Sequence, residues 1–520
     1  MKQDDPIEQA NAALALADRG RVQEAVSLFE DLLRAHPEMA GARSNLGALY
    51  TQSGESSRAI EHLQQCLQDL PEFPEAWNNL GNAFMQACRM EEAYRAFSKA
   101  IRLRHAYFAA HSNRFLLLRY REAKGPVLEQ AVREWQSALN QHPVSKNPYE
   151  PIAPTGYKKI RLGLLSPDFR NHSIAFFLEP LLARIDRDRI VVSLYSDVRQ
   201  PDSITSRLAR LADCWADVRD LTDAQLLEKL RGDSLHVLID LTGHFERNRL
   251  PVFAARAAPL QLSWLGFPGT TGTPHIDGRL VDAPVAHGSS ESHACEPPIV
   301  LPDGFHCYRP PTNAPAIASL PFHRNGFLTF GSFNNAAKIS PAVADLWGQL
   351  LETIPDSRLL LKARAFKDPD TRKRILHGIL KDRPLSPERI RFLSRRPGLT
   401  EHLRDYHEVD LALDTYPYSG TTTTCEALWM GVPVVTLTGK SPQSRVTASL
   451  LHQARLSHFI TGNPTALKHL VTRLAQRPDH LVRLRSSLRA HLQKTPLLDE
   501  AAFCRNFEET LCQVSTRNHP

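Results

Sequence analysis

A chain of 520 residues has room for about three or four ordinary domains, and its 42% hydrophobic and 23% charged content is that of a globular protein in water. The net charge of +7 is spread in short runs such as Arg395-Arg396, without interleaved aromatics, which argues against a nucleic-acid surface. The eight cysteines form no Cys-x-x-Cys pair, so reduced, buried thiols in a cytoplasmic protein are expected, and the longest apolar run, 174–185, is broken by Glu179 and Arg184, so no membrane span is expected.

The N-terminus, MKQDDPIEQA, has no apolar signal region. The first hundred residues repeat. Ala25, Ala59 and Ala93 are 34 apart, as are Leu33, Leu67 and Ile101, and Phe29, Leu63 and Phe97. Asn45-Leu-Gly47 recurs as Asn79-Leu-Gly81, and Pro37 and Pro71 punctuate the period. This pattern resembles the tetratricopeptide (TPR) repeat, a helix pair that buries its apolar face only by stacking on its neighbours. Three repeats, residues 3–104, are predicted, then helices near 106–120 and 127–141 that cap the array. The concave face of such an array binds peptides, or the array acts as a spacer or homodimer contact; the fold alone does not decide.

Residues 148–157 read as a proline-rich linker. Beyond it, short apolar runs alternate with amphipathic stretches, the signature of a parallel α/β sheet. Strands are predicted at 160–165, 190–195, 237–241, 261–265 and 298–301. After a second proline-rich join at 310–321, a further set is predicted at 327–332, 358–362, 390–393, 409–413 and 434–437. Two such sets imply two Rossmann-like lobes. Helical segments at 465–492 and 499–513 close the chain and are expected to pack back across the first lobe.

The loops after these strands are where ligands bind in such sheets. Ser166-Pro-Asp-Phe-Arg-Asn-His-Ser173 places His172 before an apolar helix, as a cap or as a functional imidazole. Thr242-Gly-His244 follows Asp240, and Trp264 to Gly272 is a glycine-rich turn that lacks the order of a P-loop. Lys338 precedes a Ser340-Pro341 helix start, either as a solvated lysine or as the cation facing a diphosphate leaving group. His402 caps a helix or stacks on a base. The stretch 413–436 reads as strand, turn and helix, with Thr421, Thr422, Thr423 and Thr424 at the helix start and Glu426 about one turn after Thr422, on the same face. Hydroxyls and free N–H groups at a helix N-terminus form an anion site, and a carboxylate beside it accepts from ribose hydroxyls; the plain alternative is a threonine-rich capping loop.

Taken together, Asp168-Phe-Arg-Asn-His172, Thr242-Gly-His244, Trp264 to Gly272, Ser332-Phe-Asn-Asn-Ala-Ala-Lys338, Gly420-Thr-Thr-Thr-Thr-Cys-Glu426 and Ser444-Arg-Val-Thr-Ala-Ser449 resemble the protein O-GlcNAc transferase family and its SPINDLY branch. The resemblance covers the repeats and essentially all of 158–460. It implies an α-helical TPR solenoid followed by an α/β GT-B glycosyltransferase of two Rossmann-like lobes. The corresponding division is 1–105 repeats, 106–157 helical cap and linker, 158–320 N-terminal lobe, 321–465 C-terminal nucleotide-sugar lobe and 466–520 C-terminal helices.

What the resemblance implies chemically is inverting transfer of GlcNAc from UDP-GlcNAc to Ser or Thr hydroxyls, with no metal and no cofactor, on protein acceptors held in the TPR groove. It places His172 near the reacting sugar and Lys338 against the leaving pyrophosphate. Thr422 and Thr423 donate to the phosphates, Asn335 contacts the nucleotide, His402 stacks on the base and Glu426 holds the ribose. Two departures concern the donor: Thr421 stands where animal O-GlcNAc transferases carry histidine, and Leu399 where they carry a base-contacting lysine. The Thr-rich version and Phe333-Asn-Asn335 are nearer SPINDLY, whose plant members resemble O-fucosyltransferases using GDP-fucose; Ser444-Arg-Val446 looks like the O-GlcNAc branch. UDP-GlcNAc is the donor expected, with GDP-fucose as the alternative. A third reading is a TPR scaffold with inactive transferase lobes.

Overall fold

The computed structural model describes residues 5–123, 125–146, 149, 158–287, 294–396 and 398–517. The linker expected at 148–157 lies outside these residues, apart from Tyr149. The strands among them are β1 Ile160–Ser166, β2 Ile190–Ser196, β3 Cys214–Asp217, β4 Val237–Asp240, β5 Leu260–Ser263, β6 Gly278–Val281, β7 Pro298–Val300, β8 Thr329–Ser332, β9 Arg358–Lys362, β10 Ile390–Leu393, β11 Leu411–Leu413, β12 Val434–Leu437 and β13 Ile460–Thr461. The chain divides into two compact units, Met1–Arg121 with Thr329–Pro397, and Glu122–Leu328 with Gly398–Pro520.

In the first unit the repeat is built as its period demands. Helix pairs Pro6–Asp18 with Val22–Ala35, Ala40–Ser53 with Ser56–Asp69, and Pro74–Gln86 with Met90–Leu103 stack in order. Ala25, Ala59, Ala93, Phe29, Leu63 and Phe97 are fully buried at the crossings. The recurring glycine has a steric cause: a Cβ on Gly47 would stand 2.5 Å from Leu63 Cγ, and one on Gly81 would stand 2.4 Å from the Phe97 ring. The repeats do not stand apart from the 329–397 segment, whose strands pair in parallel in the order β10-β9-β8. Ser57 N donates to Asp368 Oδ1 (3.2 Å), Ser57 Oγ donates to Asp368 Oδ2 (3.1 Å), and Lys367 Nζ donates to Glu55 Oε1 (2.7 Å). Gly54, at φ +81°, lets the backbone of the second repeat approach the Arg364 carbonyl, which a Cβ there would meet at 2.5 Å.

The second unit holds a seven-stranded parallel sheet in the order β3-β2-β1-β4-β5-β6-β7. The order reverses between β1 and β4, and the crevice at the carboxyl ends of those two strands is where such sheets bind ligands. The loops that leave them are Ser166 to Ser173 and Thr242 to His244. Sequence reading missed β3 and β6. The first is a half-exposed edge strand, and the second begins Gly278-Arg279, so neither shows an apolar run. The same unit carries β11, β12 and β13, paired in parallel.

The expected 465–492 helical stretch is two helices, Pro464–Ala475 and Pro478–Leu492, because Pro478 cannot continue the hydrogen-bond ladder. The last helix, Glu500–Arg517, packs on Ser173–Arg184, with Cys504 Sγ 3.7 Å from Pro180 O and Glu500 bonded by Arg309 at 2.7 Å. The eight cysteines are all free thiols; Cys214 and Cys295 are exposed, against the expectation that all are buried. Among the described residues no helix is long and apolar enough to cross a membrane.

Candidate active site

The threonine stretch of the second unit is organised by a carboxylate that the sequence did not single out. Asp414, at the end of β11 and buried, accepts from Thr415 N (2.8 Å) and Gly420 N (2.7 Å) through Oδ1 and from Thr436 Oγ1 (2.7 Å) through Oδ2. Burial raises its pKa above the usual carboxylate range, against the lowering effect of these donors. Ser419 and Thr447 complete the lattice: Ser419 Oγ donates to Gln443 O (2.9 Å), Thr447 Oγ1 to Gly420 O (2.9 Å), and Thr447 N to Ser419 Oγ (3.2 Å). The loop therefore delivers the chain at a fixed angle into the helix Thr422–Trp429.

Thr421 is the N-cap of that helix, but its hydroxyl caps nothing, and Thr422 Oγ1 is a buried hydroxyl with no partner among the described residues. Thr424 is spent internally, 3.1 Å from Thr447 Oγ1. An eight-residue helix beginning on an uncapped threonine and a hydroxyl without a protein partner is a donor set waiting for acceptors.

His402 and Glu426 are brought together. His402 Nε2 lies 2.9 Å from Glu426 Oε2, and Tyr406 supports both: its ring stands edge-on to His402 at 5.9 Å, and its hydroxyl donates to Thr423 O at 3.1 Å. Burial beside Glu426 raises the Tyr406 phenol well above its usual range, so it stays a hydrogen-bond donor. The carboxylate thus holds one edge of the imidazole.

His172 is the N-cap of Ser173–Arg184 and is part-exposed. Its Nδ1 lies 3.5 Å from Ile174 N and 3.7 Å from Asp168 Oδ2. These neighbours select different tautomers. Ile174 N–H requires a bare Nδ1 and puts the proton on Nε2, whereas Asp168 takes Nδ1–H and leaves Nε2 basic. Asp168 is itself held by Ser166 Oγ, which accepts from Asp168 N at 3.0 Å, and by Arg170 at 3.3 Å.

Beside the β4 loop lies the glycine-rich turn. Gly266 and Gly243 are required by close approach: a Cβ on Gly266 would meet Leu241 O at 2.3 Å, and one on Gly243 (φ +60°) would meet Phe267 Cβ at 2.2 Å. Buried Glu296 pins the turn, accepting from Thr271 N (2.9 Å) and from the hydroxyls of Thr270 and Thr271, while His244 Nε2 lies 2.7 Å from Thr271 O. The turn, with Phe305, His306, Tyr418, Thr421 and Val446, lines a cavity. Thr421 is thereby placed beside the turn.

Asp240 at the end of β4 accepts from Gly243 N (2.6 Å) and Thr242 N (3.2 Å), yet burial raises its pKa from the ordinary 3.8 to about 7. The folded state then binds a proton that the unfolded chain releases. Its stabilising contribution is complete below pH 3.8 and is lost as pH rises through about 7. Urea unfolding from pH 5 to 8 is expected to show stability falling, by an amount on the order of 3 kcal/mol at most from this group. Asp240→Asn is expected to flatten that slope.

In the first unit, Asn335 caps a short 3-10 turn, Ala336–Lys338, that ends on Lys338. Asn335 Oδ1 accepts from Ala337 N (3.1 Å), Ala336 and Ala337 are buried, and Ser340 Oγ accepts from Val343 N (3.2 Å) to start the next helix. The third repeat braces the turn: Cys88 Sγ donates to Ala336 O at 3.3 Å. Lys338 is half-buried, at the end of a short, capped turn. Sequence reasoning missed Asp414, Tyr406, Glu296 and His306. Asp414 lay within the singled-out stretch, as the one acidic residue between strand and turn; the others carry no local signal.

The family model for glycosyl transferase family 41 matches residues 138–305 and 321–507, and tetratricopeptide repeat models match 11–68 and 74–107. The chain is similar to the probable UDP-N-acetylglucosamine–peptide N-acetylglucosaminyltransferase SPINDLY of Petunia hybrida, 36% identical over 77% of this chain and 43% of that protein. It is also similar to the probable UDP-N-acetylglucosamine–peptide N-acetylglucosaminyltransferase SEC of Arabidopsis thaliana, 27% identical over 68% of this chain and 37% of that one. The chain spans less than half the length of these curated relatives. Among solved structures it is similar to a mutant O-GlcNAc transferase of Thermobaculum terrenum, with a TM-score of 0.92, 31% identity, and coverage of 100% of this chain and 99% of that one. The fold is therefore TPR helices followed by the two parallel-sheet Rossmann-like lobes of a GT-B transferase. With both halves of the lobe region matched, the chain belongs to glycosyl transferase family 41.

Proposed function

We propose that the chain is an inverting glycosyltransferase that moves GlcNAc from UDP-GlcNAc to Ser or Thr hydroxyls of proteins, with the repeats recruiting the acceptor. The observation that carries this reading is the start of the Thr422–Trp429 helix, where Thr421 caps nothing and the Thr422 hydroxyl has no partner among the described residues. Such a donor set suits a nucleotide diphosphate. The family membership, and the names of its relatives, support the sugar and the acceptor class.

In the reaction the acceptor oxygen attacks the anomeric carbon, the bond from that carbon to the diphosphate breaks, and its electron pair leaves with the nucleotide. His172 takes the hydroxyl proton in the tautomer in which Asp168 holds Nδ1–H. Lys338 neutralises the charge developing on the leaving diphosphate, and the Thr421–Thr423 hydroxyls and N–H groups donate to phosphate oxygens, so no divalent ion is needed. His402, steadied by Glu426, stacks on the base, and Asn335 contacts the nucleotide. The alternative donor, GDP-fucose, rests on Thr421 and Phe333-Asn-Asn335, which stand nearer the SPINDLY branch of the family.

Calorimetric titration with UDP, UDP-GlcNAc, GDP and GDP-fucose tests the reading. Binding of the uridine pair is expected, unchanged by EDTA. A guanosine preference would move the protein to the fucosyl reading. Silence from all four in a folded protein would leave the inactive scaffold.

A further inference from the structure

The cavity beside Thr421 contains a side chain to which nothing above assigns a task. His306, in the segment after β7, is 2% exposed and lies among aromatics, 4.8 Å edge-on to Phe177 and 4.0 Å from Phe305. Its Nδ1 is sealed and has no hydrogen-bond partner among the described residues. Burial drives its pKa down to about 3, so the imidazole is neutral and carries a single N–H. A buried N–H without an acceptor is costlier and rarer than a buried bare lone pair, so the proton belongs on Nε2. Phe177 lies on the helix that His172 caps, so His306 is packed against the element that presents His172.

The cavity lined by His306, the glycine-rich turn and Thr421 has about 390 Å³ of empty space opening to solvent. About 30 Å³ of it is open to the centres of water-sized groups. That is room for a substituent of the ring to enter. Trp264, Phe267, Leu280 and Val446 give the cavity apolar walls, and Ser263, Tyr418 and the buried Arg279, whose Nη1 donates to Pro268 O at 3.0 Å, give it polar ones.

Resting on the nucleotide-sugar reading of this site, we propose that His306 is a specificity residue for the donor sugar, its Nε2–H donating to an uncharged oxygen of a ring substituent, a hydroxyl or an N-acetyl carbonyl, that enters the cavity beside Thr421.

The test compares UDP-GlcNAc with UDP, which lacks the sugar, by calorimetry on the full chain; GDP-fucose and GDP serve if the wild type prefers them. His306→Leu is expected to weaken the nucleotide sugar about tenfold while leaving the nucleotide unchanged, and His306→Gln, which keeps a donor, to recover most of the loss. Because leucine removes an unpaired polar group, Tm is expected to hold. Equal weakening of sugar nucleotide and nucleotide, or a fall in Tm with affinity unchanged, would show a purely structural imidazole donating to the Phe177 ring or to a buried water, and overturns the assignment. If His306→Leu does not fold, His306→Gln carries the test, since unselective loss there overturns the assignment as well. Wild-type binding of nucleotide without sugar preference overturns the underlying reading and this assignment together; sugar-selective binding unmoved by His306→Leu overturns this assignment alone.

Discussion

Replacing Lys338 with alanine is expected to lower turnover about 10²–10³-fold, the usual cost of removing one preorganised group that meets charge developing in a transition state. The expectation rests on how the lysine is held. Its 3-10 turn is capped by Asn335, seated on buried Ala336 and Ala337, followed at once by the Ser340-capped helix and braced by Cys88 of the third repeat. Such a mount fixes the backbone from which the ammonium reaches the leaving diphosphate. The loss should fall more on kcat than on KM, because the nucleotide's charge is greater in the transition state than in the bound donor. Lys338→Arg keeps the charge but not its compact geometry, and an intermediate rate is expected. Steady-state kinetics on a peptide acceptor decides the matter. An alanine variant with wild-type kcat and unchanged Tm would remove Lys338 from the chemistry.

How much of this was legible in the sequence follows from the range of each interaction. The repeats were readable because each period reuses one local rule: the alanines at 25, 59 and 93 and the glycines at 47 and 81 are fixed by contacts to the adjacent helix of the same pair. Strands β1, β2, β4 and β9 were readable because burial on both faces forces continuous apolar runs. β3 and β6 were not, being an edge strand and a strand that opens with glycine beneath Ile299 and a buried arginine. Within the site, Thr421–Thr423 and Lys338 announce themselves by residue type beside a helix start. The pairing of His402 with Glu426 spans 24 residues, and the place of His306 against Phe177 spans an entire sheet crossing. Neither leaves a local pattern.

Asp414 makes the second large effect. Its two oxygens accept from the N–H groups of Thr415 and Gly420 and the hydroxyl of Thr436, and Asp414→Ala would leave all three buried without that acceptor. At about 1 kcal/mol for each orphaned donor, the variant is expected to lose on the order of 3 kcal/mol of stability. Nucleotide affinity should fall with it, because Gly420 N is the tie that sets the entry angle of the threonines. Asp414→Asn separates the two effects. Its single carbonyl oxygen can keep the Thr415 and Gly420 bonds, while its amide group faces the Thr436 hydroxyl, which can turn to accept. Asparagine is therefore expected to restore most of the affinity and about half of the stability, measured by calorimetry and by thermal unfolding. Were alanine to lower stability while nucleotide binding stayed intact, the threonines would owe their placement to Ser419 and Thr447 instead, and the lattice around Gln443 O would be the element that shapes the site.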